Sequence, residues 1–233
     1  MDTVEVLYED NHLLALNKPA GLLTQPSGTP GDSLEARAKA WIKQTRNKPG
    51  EVYLHAVHRL DRPVSGIVLF ARTSKALGRM NQLMRNREVH KVYHAVITGR
   101  LPGDEGTLRH HLRHAHMHSE LAGEHETGSR QGILHYRVMG RSRSMSLVEI
   151  RLETGRYHQI RAQLAGSGCP ILGDGRYGGR AWQGQGAIAL HHRCMAFIHP
   201  TRKTPVTITA PYPPLWTQSD LPVHEGAANR HLP

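Results

Sequence analysis

A carboxylate set between two arginines is the densest chemistry in this 233-residue sequence, in the run His58-Arg59-Leu60-Asp61-Arg62-Pro63-Val64-Ser65-Gly66. An ionised carboxylate can serve as nucleophile or as base. Pro63 and Gly66 impose irregular backbone around it, and residues 66–72 (GIVLFAR) read as a buried strand just behind. Loops held by a rigid strand are where catalytic groups concentrate; the bland alternative is a surface ion-pair loop. A second candidate is Glu153-Thr154-Gly155-Arg156-Tyr157-His158-Gln159-Ile160-Arg161. On a helix over 156–164, His158 and Arg161 share one face, which can reach into a cleft, while Ile160 and Leu164 share another. Lys91-Val92-Tyr93 is a third. Strand alternation puts Lys91 and Tyr93 on the same face, and a tyrosine beside a basic group offers a base-stacking platform.

Two further clusters carry less. His110, His111, His114, His116 and His118 crowd one stretch, but no HExxH and no cysteine accompanies them. They read as a solvated basic segment able to touch phosphate rather than as a metal site. The glycine-rich run 173–179 lacks the lysine and hydroxyl of a nucleotide loop and reads as an ordinary loop.

The elements that must position these residues are mostly strands. The first 18 residues read as a hairpin turning at Asp10-Asn11. Asp32 or Ser33 can cap a helix over 34–45, and Thr73 or Ser74 a helix carrying Leu77, Met80, Leu83 and Met84. Strands are expected over 89–98, 107–113, 132–139, 145–152, 187–198 and 206–209. Residues 114–131 are expected to be an exposed loop, and 221–233 a flexible tail after a domain over 1–220. Few helices, not alternating regularly with strands, predict an α+β fold with a mixed, largely antiparallel sheet.

Composition bounds the partners. Thirty Lys and Arg against 19 Asp and Glu give a net charge of +11, spread along the chain. That suits a polyanion, most often nucleic acid. Two cysteines are too few for a disulfide framework, no apolar run approaches a membrane span, and the acidic, strand-like start is unlike a targeting peptide. The expected setting is the cytoplasm.

Together these segments resemble the RluA-type family of RNA pseudouridine synthases over residues 4–216. Asn17-Lys18-Pro19-Ala20-Gly21 matches the family's early KPAG segment, HRLDRPVSG its HRLDxxTSG signature, and Lys91-Val92-Tyr93 its KxY strand. TGRYHQIR matches TGRxHQIR, the 173–178 run GDxxYG, and Leu190-His191-His192 with Phe197-Ile198-His199-Pro200 the closing LHA…FxHP strand. The signature threonine is Val64 here, and Pro63 stiffens the same loop. The resemblance implies the pseudouridine synthase fold, with a few flanking helices and a central cleft; where many members carry a small RNA-binding domain in front, this sequence is expected to start directly at the catalytic domain. It also implies Asp61 as the catalytic carboxylate, Tyr93 against the target uracil and Arg161 paired with the aspartate.

That chemistry is an isomerisation. The bond from uracil nitrogen to the ribose is broken, the base is rejoined through carbon 5, and a proton leaves, so no cofactor and no metal are expected. A ribosomal or transfer RNA stem-loop is the expected partner, without a membrane or an obligatory protein. Arg59 and Arg62 are placed to hold the displaced strand, with His58, Lys91 and His158 as further RNA-facing candidates. The alternatives are a non-catalytic RNA-binding protein on the same scaffold and a metal hydrolase using the histidine cluster.

Overall fold

The computed structural model describes residues 4–27, 32–47, 49–182 and 186–217; the tail expected over 221–233 lies outside them. Among the described residues the chain is α+β, with eleven strands and four α-helices. It forms two compact units, the first from Met1–His90 with His192–Pro211, the second from Lys91–His191 with Tyr212–Pro233.

The first unit opens with the expected hairpin of β1 (Glu5–Glu9) and β2 (Leu13–Lys18), paired antiparallel. Asp10 closes the turn, its Oδ1 accepting from the backbone N–H of His12 at 2.7 Å and of Leu13 at 2.8 Å. Short polar side chains offer the chain this local substitute for ladder bonds. Helix α1 (Leu34–Thr45) starts where Ser33 Oγ accepts from Ala36 N–H, and buries Leu34, Ala38 and Ile42. A two-residue strand β3 (His55–Ala56) precedes β4 (Ser65–Ala71), every residue of which is buried. Thr73 then caps α2 (Ser74–Arg85). The central strand β4 lies antiparallel to β2 and β3. The sheet order runs β1-β2-β4-β10, with β10 (Leu190–Ile198) also pairing β11 (Pro205–Thr209). Leu13, Ala15, Ile67, Leu69, Met195, Phe197 and Ile208 make the core with Ala76 and Met80 of α2.

The second unit is built on the order β5-β9-β8-β6-β7. These strands are β5 (His90–Thr98), β6 (Glu105–Ala115), β7 (His118–Ala122), β8 (Arg130–Arg141) and β9 (Met145–Leu152), with antiparallel registers throughout. The loop expected over 114–131 is thus corrected in part, because His118–Ala122 pairs with β6 as a hairpin. His116, at φ +48°, makes its turn.

Helix α3 (Gln159–Gly166) begins three residues later than the periodicity predicts, after His158 in a left-handed conformation at φ +49°. It is buried on nearly all sides, and two glutamines tie it down. Gln159 Nε2 donates to Ile133 O, and Gln163 Nε2 to Leu108 O and Gly132 O. Buried amides are tolerated because they meet backbone carbonyls. The loop expected over 173–179 contains a single 3-10 turn, Gly175–Tyr177. Tyr212 stacks at 5.6 Å on Trp216 of a last short helix α4 (Pro214–Thr217), and both are buried.

Candidate active site

Asp61 sits half-buried immediately before the turn at Arg62-Pro63, and its carbonyl accepts from Val64 N–H at 3.0 Å. Val64 is itself buried, so a backbone bond closes this loop at the position where the family signature carries a threonine. Two residues on, Gly66 has φ +111°, and a Cβ there would lie 2.4 Å from the His192 carbonyl oxygen. Only glycine lets β4 start at that distance. Arg59 and Arg62 are exposed, and Arg62 Nε donates to Gly21 O. His58 points inward: its Nε2 accepts from Leu69 N–H, and its ring meets that of His192 edge-on at 5.3 Å. His192 Nδ1 faces Ile67 O at 2.7 Å, as a donor must.

Beneath the loop lies Lys18, fully buried. Its ammonium donates to Pro19 O at 3.0 Å, Leu22 O at 2.8 Å and Arg62 O at 3.1 Å. Three donors meet three carbonyls, and the Asp61 loop is pinned to the KPAG segment. Burial pushes Lys18 down to about 7, the Asp61 carboxylate opposing that and Arg62 adding to it. The stability consequence has a definite sign. Unfolded lysine binds its proton below about 10.5, folded Lys18 only below about 7, so between those values the unfolded chain holds more protons. Lys18 therefore contributes least below pH 7, and its contribution rises as the pH climbs toward 10. Lys18→Met should cost about 2–4 kcal/mol near neutrality by leaving buried carbonyls without donors. Urea unfolding of both proteins should show that cost growing from pH 7 to 10; a constant gap would contradict a depressed lysine.

In the second unit, Tyr93 is buried on β5 opposite Ile150. Lys91 is half-buried and its pKa is lowered by burial; a Cβ on Gly155 would lie 3.9 Å from its Nζ. The KxY strand and the TGRYHQIR segment therefore meet. Arg161 and Asp174 form a buried bidentate pair, Nε to Oδ2 at 2.7 Å and Nη2 to Oδ1 at 2.9 Å, the two side chains 5% and 1% exposed. Arg161 Nη1 lies 3.0 Å from His158 Nε2, and the guanidinium stands 5.0 Å over the Tyr177 ring. The partner that sequence reasoning expected for Arg161, Asp61, belongs to the other unit.

The structure thus gathers His58, Arg59, Asp61 and Arg62 on one loop. Lys91 and Tyr93 lie on β5, and His158 and Arg161 at the start of α3, all within the second unit. Sequence reasoning missed the roles of Lys18, Asp174, Tyr177 and His192. Their signals were the KPAG, GDxxYG and LHH motifs, which name positions but not contacts. The histidines of the hairpin spread along it, and among the described residues no three His, Cys, Asp or Glu side chains gather as metal ligands do.

The chain belongs to the RNA pseudouridylate synthase family, whose model matches residues 12–166, and within it to the RluA-type branch. It is 34% identical over 224 residues to the ribosomal large subunit pseudouridine synthase D of Xylella fastidiosa, covering 90% of this chain and 66% of that one. It is 29% identical to the tRNA pseudouridine synthase C of Pectobacterium carotovorum, covering 91% of this chain and 60% of that one. The chain therefore spans about two thirds or less of the length of these relatives. Among solved structures, Human RNA Pseudouridylate Synthase Domain Containing 4 superposes with a TM-score of 0.78 at 22% identity, over 91% of this chain and 90% of that one. The chain has the pseudouridine synthase fold. Among the described residues no helix is long and apolar enough to cross a membrane.

Proposed function

We propose that this chain isomerises uridine in RNA to pseudouridine, with Asp61 acting at the ribose, Tyr93 against the uracil and Arg161 paired with the carboxylate. The observation that carries this is the loop itself: a carboxylate beside a glycine-only strand start, braced from below by a buried lysine. An ionised aspartate is what sugar chemistry needs, whether as nucleophile or as base. The target nucleotide must leave its stack before its anomeric carbon can be reached, and Arg59 and Arg62, both exposed, are suited to hold the opened strand. The half-buried Lys91 and buried His158 are suited to shaping the pocket around the base. Breaking the bond at the uracil nitrogen, rotating the base, joining carbon 5 to the ribose and losing that carbon's proton while the freed nitrogen takes one up balance without redox change, so no cofactor is required.

Two relatives with this match are named for ribosomal and for transfer RNA, and both are substrate classes for the proposal. The test is release of tritium from RNA carrying uridine labelled at carbon 5, with ribosomal and transfer RNA transcripts run separately. Release from either, stoichiometric with pseudouridine formed, is expected. Tight binding with no release from any transcript would leave the non-catalytic RNA-binding alternative standing.

Binding itself should weaken steeply with salt. A net charge of +11 with about 5 phosphate contacts implies a slope of log affinity against log salt of about −3.5 to −4.5. Titrating a substrate stem-loop against catalytically inactive protein measures it. A slope near zero would turn the positive surface away from the RNA.

A further inference from the structure

We infer that His158 and Tyr177 are positioning residues that hold Arg161 through a directed hydrogen-bond relay from the β6–β7 hairpin; this rests on the proposed role of Arg161 at the carboxylate. Counting donors fixes every proton in the relay. An arginine can only donate, so Arg161 Nη1, 3.0 Å from His158 Nε2, makes that nitrogen the acceptor. His158 is then neutral with its proton on Nδ1, which donates to the Tyr177 hydroxyl at 3.0 Å. That hydroxyl also accepts from Ser119 N–H at 2.9 Å and donates its own proton to Ser119 O at 3.0 Å.

The surroundings hold the imidazole in place. Its backbone takes a left-handed conformation, φ +49°, uncommon for a residue with a Cβ. One face of the ring stacks on Tyr157 at 4.0 Å, and Tyr157 meets His114 of β6 at 4.8 Å. Ser119 Oγ donates to Tyr157 O at 2.6 Å, so the strained residue is clamped from the hairpin on both sides. Asp174 grips the opposite edge of the guanidinium. Strain held by this many contacts is the kind kept for geometry at a site. The charged and titratable groups seen facing His158 include Arg161, Tyr157, Tyr177 and, beyond Tyr157, His114, with Asp174 across Arg161. A protonated His158 has no lone pair for Arg161, so the relay breaks when the imidazole takes up a proton.

The test is the rate and KM of His158→Ala, His158→Gln and Tyr177→Phe on a substrate RNA, with Arg161→Met run beside them. His158→Ala should lower the rate about 10-fold or more, as small misplacements of a reacting group do, with KM within about two-fold. Tyr177→Phe keeps the ring under Arg161 and should lose less. His158→Gln keeps a carbonyl acceptor at every pH. It should recover part of the rate and flatten the acid limb of the rate profile. His114→Gln should leave that limb in place. A wild-type rate in His158→Ala, or an unchanged acid limb in His158→Gln, overturns the relay. If His158→Ala fails to fold, the other two variants decide. A wild-type rate in Arg161→Met overturns the underlying role of Arg161 instead.

Discussion

Asp61→Asn is expected to lower turnover at least about 100-fold, the scale of a lost acid–base or nucleophilic group, while leaving the fold and RNA affinity nearly unchanged. The asymmetry follows from where Asp61 sits. It is half-buried at a turn whose shape is set by other groups: the Val64 N–H bond to its carbonyl, Lys18 under Arg62, and Gly66 against the His192 backbone. The backbone bonds that set the turn do not depend on the charge of residue 61, and an amide has almost the same volume as the carboxylate. What the amide lacks is the negative charge, which is needed whether the group attacks the anomeric carbon or removes a sugar proton. Thermal melting, RNA binding and tritium release on one preparation separate the cases. Loss of binding in parallel with turnover would make Asp61 a structural residue. Turnover above a few percent, with deamidation excluded by mass, would remove it from the chemistry.

The sequence was readable where structure is dictated locally. Asp10 and Ser33 announce a turn and a cap because a short polar side chain reaches the backbone two or three residues away. The unbroken apolar run of β4 can only be a covered strand. Residues 118–122 defeated the same approach. His118-Ser119-Glu120-Leu121-Ala122 is a strand whose burial alternates weakly, and its pairing to β6 rests on backbone bonds and one cross-strand ion pair, Arg113 with Glu120, that the sequence does not single out. The start of α3 was misplaced because the strained His158 interrupts a pattern that otherwise looks helical. For the site, motifs located Asp61, Tyr93 and Arg161, but partners were invisible. Lys18 looks like a turn lysine and is the least exposed charge in its loop. Asp174 is 13 residues from Arg161 in a glycine-rich run, and only folding shows that it takes two of the guanidinium's bonds.

That pair leads to the largest stability effect expected here. Asp174→Ala should cost about 3–5 kcal/mol, the scale for removing one partner of a buried ion pair. The reason is what remains. Arg161 cannot shed its proton, its side chain is 5% exposed, and the alanine leaves Nε and Nη2 facing a gap. His158 cannot compensate, since it already accepts from Nη1. The cation over the Tyr177 ring at 5.0 Å retains only a quadrupole attraction, about 0.5–2 kcal/mol. Replacing both partners should be milder than replacing one. Arg161→Met with Asp174→Leu puts apolar groups of similar length where the charges were, and such exchanges are often neutral or stabilising. Urea unfolding of the two single variants and the double gives the coupling directly. A loss below about 1 kcal/mol in Asp174→Ala would mean that another carboxylate carries the charge of Arg161 in the folded protein. Asp61 is the one the proposed mechanism nominates, and repeating the measurement in an Asp61→Asn background would then identify it.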